Sequence, residues 1–280
     1  MDNYFFWDVD PIAFTIPLIN RPIAWYGILF AIGFFLGFYL LVSLVRKAQG
    51  WDKKEAVRFS EKLTVYVIIG TVVGARLGHI LFYENLREYL LHPLDILKTW
   101  EGGLASHGGV VGIFIALTVF YFRQRKVSIL RTVDLIVVPA LLVGTLIRLG
   151  NFVNQEVLGT VTTVPWAVVF GHPIDGSLPT PRHPAQLYEA LFYFAMFLTF
   201  WKLFPRMIAQ TGRLAGLFFV AVFAFRFGVE FLKEEQSHLL GEHLFTMGQW
   251  LSIPLVFLGI ILLWKERRGE VDQTTFLESR

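Results

Sequence analysis

Apolar residues dominate this chain in long runs, and its polar residues gather in the short stretches between them. Runs of about 20 apolar residues, enough to cross a hydrocarbon layer of roughly 30 Å, recur throughout. They predict spanning helices at roughly 23–45, 63–83, 108–122, 133–151, 185–204, 214–232 and 247–264. The third run is short, and its helix is expected to begin inside the preceding loop. Residues 85–101 (NLREYLLHPLDILKTWE) mix Leu, Ile, Tyr and Trp with charges around Pro93, the pattern of an amphipathic piece lying in the membrane interface. Residues 152–184 carry VPWAVVF and a cluster of Pro, Gly and Asp, which reads as a short strand or two in a small extracytoplasmic cap. The expected fold is therefore all-α and polytopic, with about seven transmembrane helices in one domain over residues 1–265 and a loose cytoplasmic tail over 266–280.

Charge supplies the orientation. Arg46, Lys47, Lys53, Lys54, Arg58 and Lys62 separate the first two helices, and Arg123, Arg125, Lys126 and Arg131 the third and fourth. Lys202, Arg206 and Arg213 lie between the fifth and sixth, and Lys265, Arg267 and Arg268 follow the seventh. The alternate loops hold only Arg21, Arg87, Lys98, Arg182 and Lys233, so the positive-inside rule puts the N-terminus outside and the C-terminus in the cytoplasm. A formal charge of +3 and pI near 9.1 are explained by this parcelling, which leaves no reason to invoke a nucleic-acid partner. A hydrophobic content of 55%, with 28 Phe and a mean hydropathy of +0.55, excludes a soluble domain. The acidic start, with Asp2, Asp8 and Asp10, argues against a removable signal peptide. The chain has no cysteine, which rules out disulfides, thiolate metal ligands and a cysteine nucleophile. Any thiol chemistry must use a thiol brought by a substrate. Its seven histidines show no close ligand spacing, and nothing calls for a metal or cofactor.

On this topology six helices present polar groups on the outer side. Trp25-Tyr26-Gly27 opens the first, GGLASHGG leads into the third, and RLGNFVNQE ends the fourth. PRHPAQLYE opens the fifth, Arg226 and Glu230 lie in the outer half of the sixth, and Met247-Gly248-Gln249 begins the seventh. Arg76, Arg148 and Arg226 sit inside apolar helices, where a central charge costs roughly 2.5–3.5 kcal/mol. An anionic counter-ion is expected, and a lipid phosphodiester matches the two-point geometry of guanidinium. Helical spacing puts Arg148 with Asn151, Arg226 with Glu230, and Arg76 with His79 and Tyr83 on shared faces. Structural readings stand beside these. Arg226 and Glu230 could form a simple i,i+4 ion pair, Arg76 could bind helix ends or loops, and His183 could only organise the start of the fifth helix. A lipid or anion carrier and an intramembrane protease are the rival classes. The carrier lacks a polar path through both leaflets or a visible repeat, and the protease lacks a recognisable serine or paired-aspartate arrangement.

GGLASHGG, RLGNFVNQE, PRHPAQLYE and FRFGVEF together resemble bacterial prolipoprotein diacylglyceryl transferases, in the family's order from WYG at Trp25 to MGQ at Met247. The resemblance implies an enzyme of the bacterial cytoplasmic membrane that moves the diacylglyceryl part of phosphatidylglycerol onto the lipobox cysteine beside a prolipoprotein signal peptide. It implies that Arg148 and Asn151 belong to the phosphatidylglycerol signature, that His107 is the essential histidine, and that Arg226 is the second key arginine. Tyr26, Asn154, Glu156, Gly159 and Glu230 fall on accompanying positions. Two departures stand out. Val222 occupies the place, four before Arg226, where some relatives have tyrosine, and Thr160 replaces the expected basic residue or glycine after Gly159. On this reading Arg148 and Arg226 hold the phosphodiester, His107 is the candidate base, Asn151 and Tyr26 orient headgroup oxygens, and Glu156 and Glu230 hold the arginines.

Overall fold

The computed structural model describes residues 4–18, 20–83, 89, 91–98, 103, 105–234 and 245–278; the side chains of 82, 83, 106, 107 and 265–278 lie outside the description. Seven α-helices are present among them: α1 Trp25–Gln49, α2 Lys53–Tyr83, α3 Ser106–Gln124, α4 Ile129–Val153, α5 Ala185–Met207, α6 Arg213–Val229 and α7 Met247–Glu278. Six contain a stretch long and apolar enough to cross a membrane, and the apolar part of α3, Gly108–Gln124, is shorter. The protein is thus a multi-pass membrane protein with the expected seven helices. An apolar run in lipid has one local solution, because only a helix satisfies its own backbone groups.

Helix boundaries depart from the hydropathy pattern where polar turns extend a helix beyond its apolar part. α2 starts at Lys53 because the Asp52 side chain accepts from the Glu55 amide at 2.7 Å, capping a polar first turn. α7 continues to Glu278, where the sequence suggested a loose tail.

The chain forms two compact units, Met1–Leu41 with Asp134–Arg280, and Val42–Val133. In the second, α2 and α3 meet through glycines. A Cβ on Gly70 would lie 2.6 Å from the Gly112 carbonyl, one on Gly78 would lie 2.7 Å from the Gly108 Cα, and one on Gly74 would collide with the Gly108 carbonyl. With no side chain between them, these glycines bring the two backbones into direct contact. Arg76 is buried in the same unit. Its Nη2 donates to the Asp95 carbonyl (2.7 Å), Nε to Ile96 (3.0 Å) and Nη1 to Gly103 (3.3 Å). It thereby pins the 3-10 turn Pro93–Leu97, the described core of the expected interfacial segment, and serves the structural role.

The first unit holds the cap. Its strands are β1 Phe5–Trp7, β2 Ile12–Ile16, β3 Arg21–Ala24, β4 Val168–Phe170 and β5 Pro181–Arg182. β1 runs parallel to β4, with Phe5 opposite Val168, and β4 is antiparallel to β5; β2 and β3 form a separate antiparallel pair. Between 152 and 184, where a short strand or two is expected, β4 and β5 are present, and the N-terminal β1 joins them. Phe152, Leu158, Val168 and Phe170 form the buried core beneath, flanked by Trp7 and Leu187.

α6 begins at a left-handed Gly212 with no cap of its own. Asp134, fully buried near the start of α4, accepts from the amides of Gly212 (2.6 Å) and Ala215 (2.8 Å) and so caps it from another helix. Asp134→Ala orphans two buried donors at a helix N-terminus, and the expected loss of stability is about 2–4 kcal/mol. Thermal unfolding in detergent measures it; an unchanged midpoint would show the cap to be dispensable.

Candidate active site

In the first unit, the starts of α1, α5 and α7 and the ends of α4 and α6 lie at one end of the helices, and the ionisable side chains collect there. Arg148 and Asn151 occupy one face of the last turns of α4. Arg148 Nη1 donates to Asn151 Oδ1 at 3.0 Å, and Asn151 Nδ2 donates to Glu156 Oε1 at 2.7 Å. The Glu156 carbonyl accepts from Gln186 Nε2 on α5 at 2.8 Å. Arg148 Nε also lies 3.1 Å from Glu189 Oε2, and Glu189 is completely buried. The counter-ion expected from a lipid is thus supplied in part by the protein itself.

Glu189 has a second cation. Lys233 Nζ stands 3.7 Å from the same Oε2 and 3.4 Å from Glu230 Oε2. The i,i+4 pair between Arg226 and Glu230 is not formed among the described residues, and Glu230 pairs instead with Lys233. Burial, with Arg148 and Arg226 adding to it, holds the Lys233 ammonium below its ordinary pKa, while Glu189 and Glu230 oppose the shift. Arg226 is linked to the cluster through space: Tyr193 and Lys233 each feel both Arg148 and Arg226. Tyr193 also places its hydroxyl 3.5 Å from Glu189 Oε1. Tyr26 packs on Gly150, where an added Cβ would lie 3.0 Å from its ring, and it sits within electrostatic reach of Glu156 and Arg148.

The chain after α4 is held in an unusual path. Gln155 and Val157 both have positive φ, 54° and 57°, a costly conformation for a β-branched residue such as Val157. Buried Gln155 fixes it, donating to the Val9 carbonyl (3.0 Å) and accepting from the His172 amide (2.6 Å). Residues 158–162 then form a strap. The Thr160 amide donates to Leu232 O (2.9 Å), Glu234 N to Leu158 O (3.1 Å), and His183 N to Thr160 O (3.0 Å). Gly159 lies at the centre of this strap, where a Cβ would meet the His183 Cβ at 2.7 Å and collide with its carbonyl. A side chain at Gly159 is therefore excluded. Thr160 contributes its backbone and a long hydroxyl contact to Leu232 O, 3.5 Å. His183 contacts the Tyr188 hydroxyl at 3.1 Å, which accepts from Trp166 Nε1 at 2.8 Å, a structural arrangement at the start of α5.

Of the residues singled out from sequence, Tyr26, Arg148, Asn151, Glu156, Arg226 and Glu230 come together here, with Gly159 in the strap beside them. Asn154 closes the last turn of α4 through its amide, which donates to Gly150 O at 2.8 Å, and its side chain is not joined to the network among the described residues. His107 lies in the first turn of α3, in the other unit, and its side chain lies outside the described residues, as does that of Tyr83. Sequence reasoning missed Lys233, which reads as a loop cation, and left Glu189 undecided.

Known proteins resemble this chain along nearly its whole length. The family described as "Prolipoprotein diacylglyceryl transferase" matches residues 11–265. A protein of Tolumonas auensis named phosphatidylglycerol--prolipoprotein diacylglyceryl transferase is 46% identical, over 92% of this chain and 96% of its own. Proteins of the same name from Chloroherpeton thalassium and Porphyromonas gingivalis are each 41% identical, over 98% of both chains in the first case, and over 95% of this chain and 96% of the other in the second. With that extent of similarity along nearly its full length, the chain belongs to the prolipoprotein diacylglyceryl transferase family.

Proposed function

We propose that this protein transfers the diacylglyceryl group of phosphatidylglycerol to the thiol of a prolipoprotein's lipobox cysteine, the opening step of bacterial lipoprotein maturation. The buried polar network in which Arg148 bonds Asn151 and faces Glu189, in a membrane-spanning member of this family, is the observation that carries the reading.

The substrate sulfur attacks the glycerol carbon that bears the phosphate. A C–S bond forms, the C–O bond breaks, and its electron pair leaves with glycerol phosphate. Negative charge grows on the departing phosphate oxygen, and a guanidinium held in a low-dielectric site stabilises it without reorganisation. Asn151 keeps Arg148 aimed through a side-chain bond, and Glu156 in turn orients Asn151. Tyr26 and the Arg226 guanidinium are assigned to the headgroup oxygens. A free cysteine has a pKa near 8.5, so the incoming thiol needs a base, and His107 is assigned that role because imidazole titrates nearest neutral pH. The reaction faces the extracytoplasmic side of the bacterial cytoplasmic membrane, following the distribution of basic loops. No metal or cofactor takes part in this scheme.

Purified protein incubated with labelled phosphatidylglycerol and a lipobox peptide is expected to yield a thioether adduct and glycerol phosphate in equal amounts. Lipid movement between leaflets without an adduct would make it a carrier. Arg148→Ala is expected to lower turnover at least about a hundredfold, the scale for losing one transition-state donor; near-normal turnover would remove the phosphate clamp. His107→Gln is expected to lower the rate and flatten its dependence on pH across the imidazole range, and a full rate at every pH would refute the base assignment.

A further inference from the structure

Resting on the proposed function, we propose that Lys233 is a positioning residue that takes over the charge of Glu189 when an anionic phosphodiester engages Arg148.

The charge balance of the cluster motivates this role. Among the described residues three cations, Arg148, Arg226 and Lys233, face three carboxylates, Glu156, Glu189 and Glu230, so this cluster is balanced before any lipid enters. A phosphodiester adds one negative charge. For it to draw on Arg148, the pairing of Arg148 with Glu189 must weaken, and a buried carboxylate that loses its only partner costs about 3–5 kcal/mol. Glu189 has no exposed surface through which water could replace that partner.

Lys233 removes this obstacle. Its ammonium lies 3.7 Å from the carboxylate oxygen that stands 3.1 Å from Arg148 Nε. That oxygen, Oε2, makes no hydrogen bond with either, so it is held by charge alone and moves between them without breaking an aligned bond. The lysine is well anchored for the task. Its backbone bridges Gly159, its amide donates to Glu230 O at 3.2 Å, and its side chain is 4% exposed. An ammonium on a flexible stem follows a shifting carboxylate, as a rigid guanidinium fork does less readily. Each charged group facing Lys233 has a part: Glu189 from α5 is the mobile partner, Glu230 from the end of α6 the fixed one, and Arg148 and Arg226 repel it toward both.

The test is a double-substitution cycle on the full chain in nanodiscs, reading both equilibrium retention of phosphatidylglycerol against a phosphatidylcholine background and the KM for each substrate. Lys233→Met is expected to weaken phosphatidylglycerol retention and raise its KM about tenfold, equivalent to 1.4 kcal/mol, with the KM for the lipobox peptide unmoved. Adding Glu189→Gln to Lys233→Met is expected to recover most of the loss, because no carboxylate then lacks a partner. Glu189→Gln alone is expected to retain phosphatidylglycerol at least as tightly as the unsubstituted protein, which keeps the test open if Lys233→Met does not fold. Unchanged retention in Lys233→Met, losses that multiply in the double variant, or weakened retention in Glu189→Gln would each overturn the role. Failure of the functional reading looks different: the unsubstituted protein would form no thioether adduct, whatever the variants retain.

Discussion

A charge in a low-dielectric surrounding must be matched close at hand, and most of this structure follows from how one end of the first unit meets that demand. Arg148 cannot sit near the end of an apolar helix unless something anionic lies within reach, and Glu189 on α5 provides it at 3.1 Å. Glu189, fully buried, then needs more positive charge than one guanidinium engaged elsewhere can give, and Lys233 lies beside it. Lys233 in turn leans on Glu230. Each residue in the chain from Glu156 to Glu230 is thus affordable only because the next is present, which ties three helix ends to one electrostatic unit.

Such a unit is only as good as the backbone that holds it, and the cap is built for that purpose. The strap 158–162 bonds the end of α6 on one side and the residues before α5 on the other, so the carriers of Lys233 and Glu189 share a fixed spacing. Gly159 permits the contact, and the two left-handed residues before it, Gln155 and Val157, turn the chain sharply out of α4. Their strain is held by Gln155, whose side chain reaches an N-terminal carbonyl and a cap amide. Asp134 performs the matching service at the other end of α6.

What was legible in the sequence divides along the same physical line between local and non-local forces. An apolar run in lipid satisfies its backbone only by coiling on itself, so all seven helices could be read, with errors only where polar turns such as Lys53–Lys62 lengthen them. The N-terminal strands could not, because β1 pairs with Val168–Phe170 far along the chain and three residues carry too little pattern of their own. The site divides likewise. Arg148 and Asn151 share a helix face, a spacing visible in any numbering, and they are bonded. Arg226 and Glu230 share one too, yet Glu230 turns to Lys233, because a partner beyond the helix end competed better than one on the same face. The counter-ion of Arg148 sits on another helix, where no spacing rule reaches, and Arg76 donates to backbone carbonyls that no spacing rule reaches either. Burial of an arginine therefore announced that a partner exists without saying which.

A neutral cluster that contains its own carboxylates might look ill suited to gripping an anion, since three bare cations would hold a phosphodiester more tightly. Tight ground-state holding does not accelerate transfer; only interactions that strengthen as the bond breaks do so. Phosphate in the ground-state diester carries one negative charge, and the departing glycerol phosphate carries more. On the proposed assignment, a site whose cations are already half engaged by Glu189 and Glu230 pulls weakly on the first and has charge to redistribute toward the second. The balance of three against three also answers a different requirement, because the site must survive in the membrane between turnovers, when no lipid headgroup offsets its arginines. Carboxylates on neighbouring helices make the empty site stable, and their loose hold, with Glu189 Oε2 bonded to neither cation in good geometry, keeps it responsive. The same residues that let the arginines exist in an apolar surrounding thus set how firmly they can hold what enters.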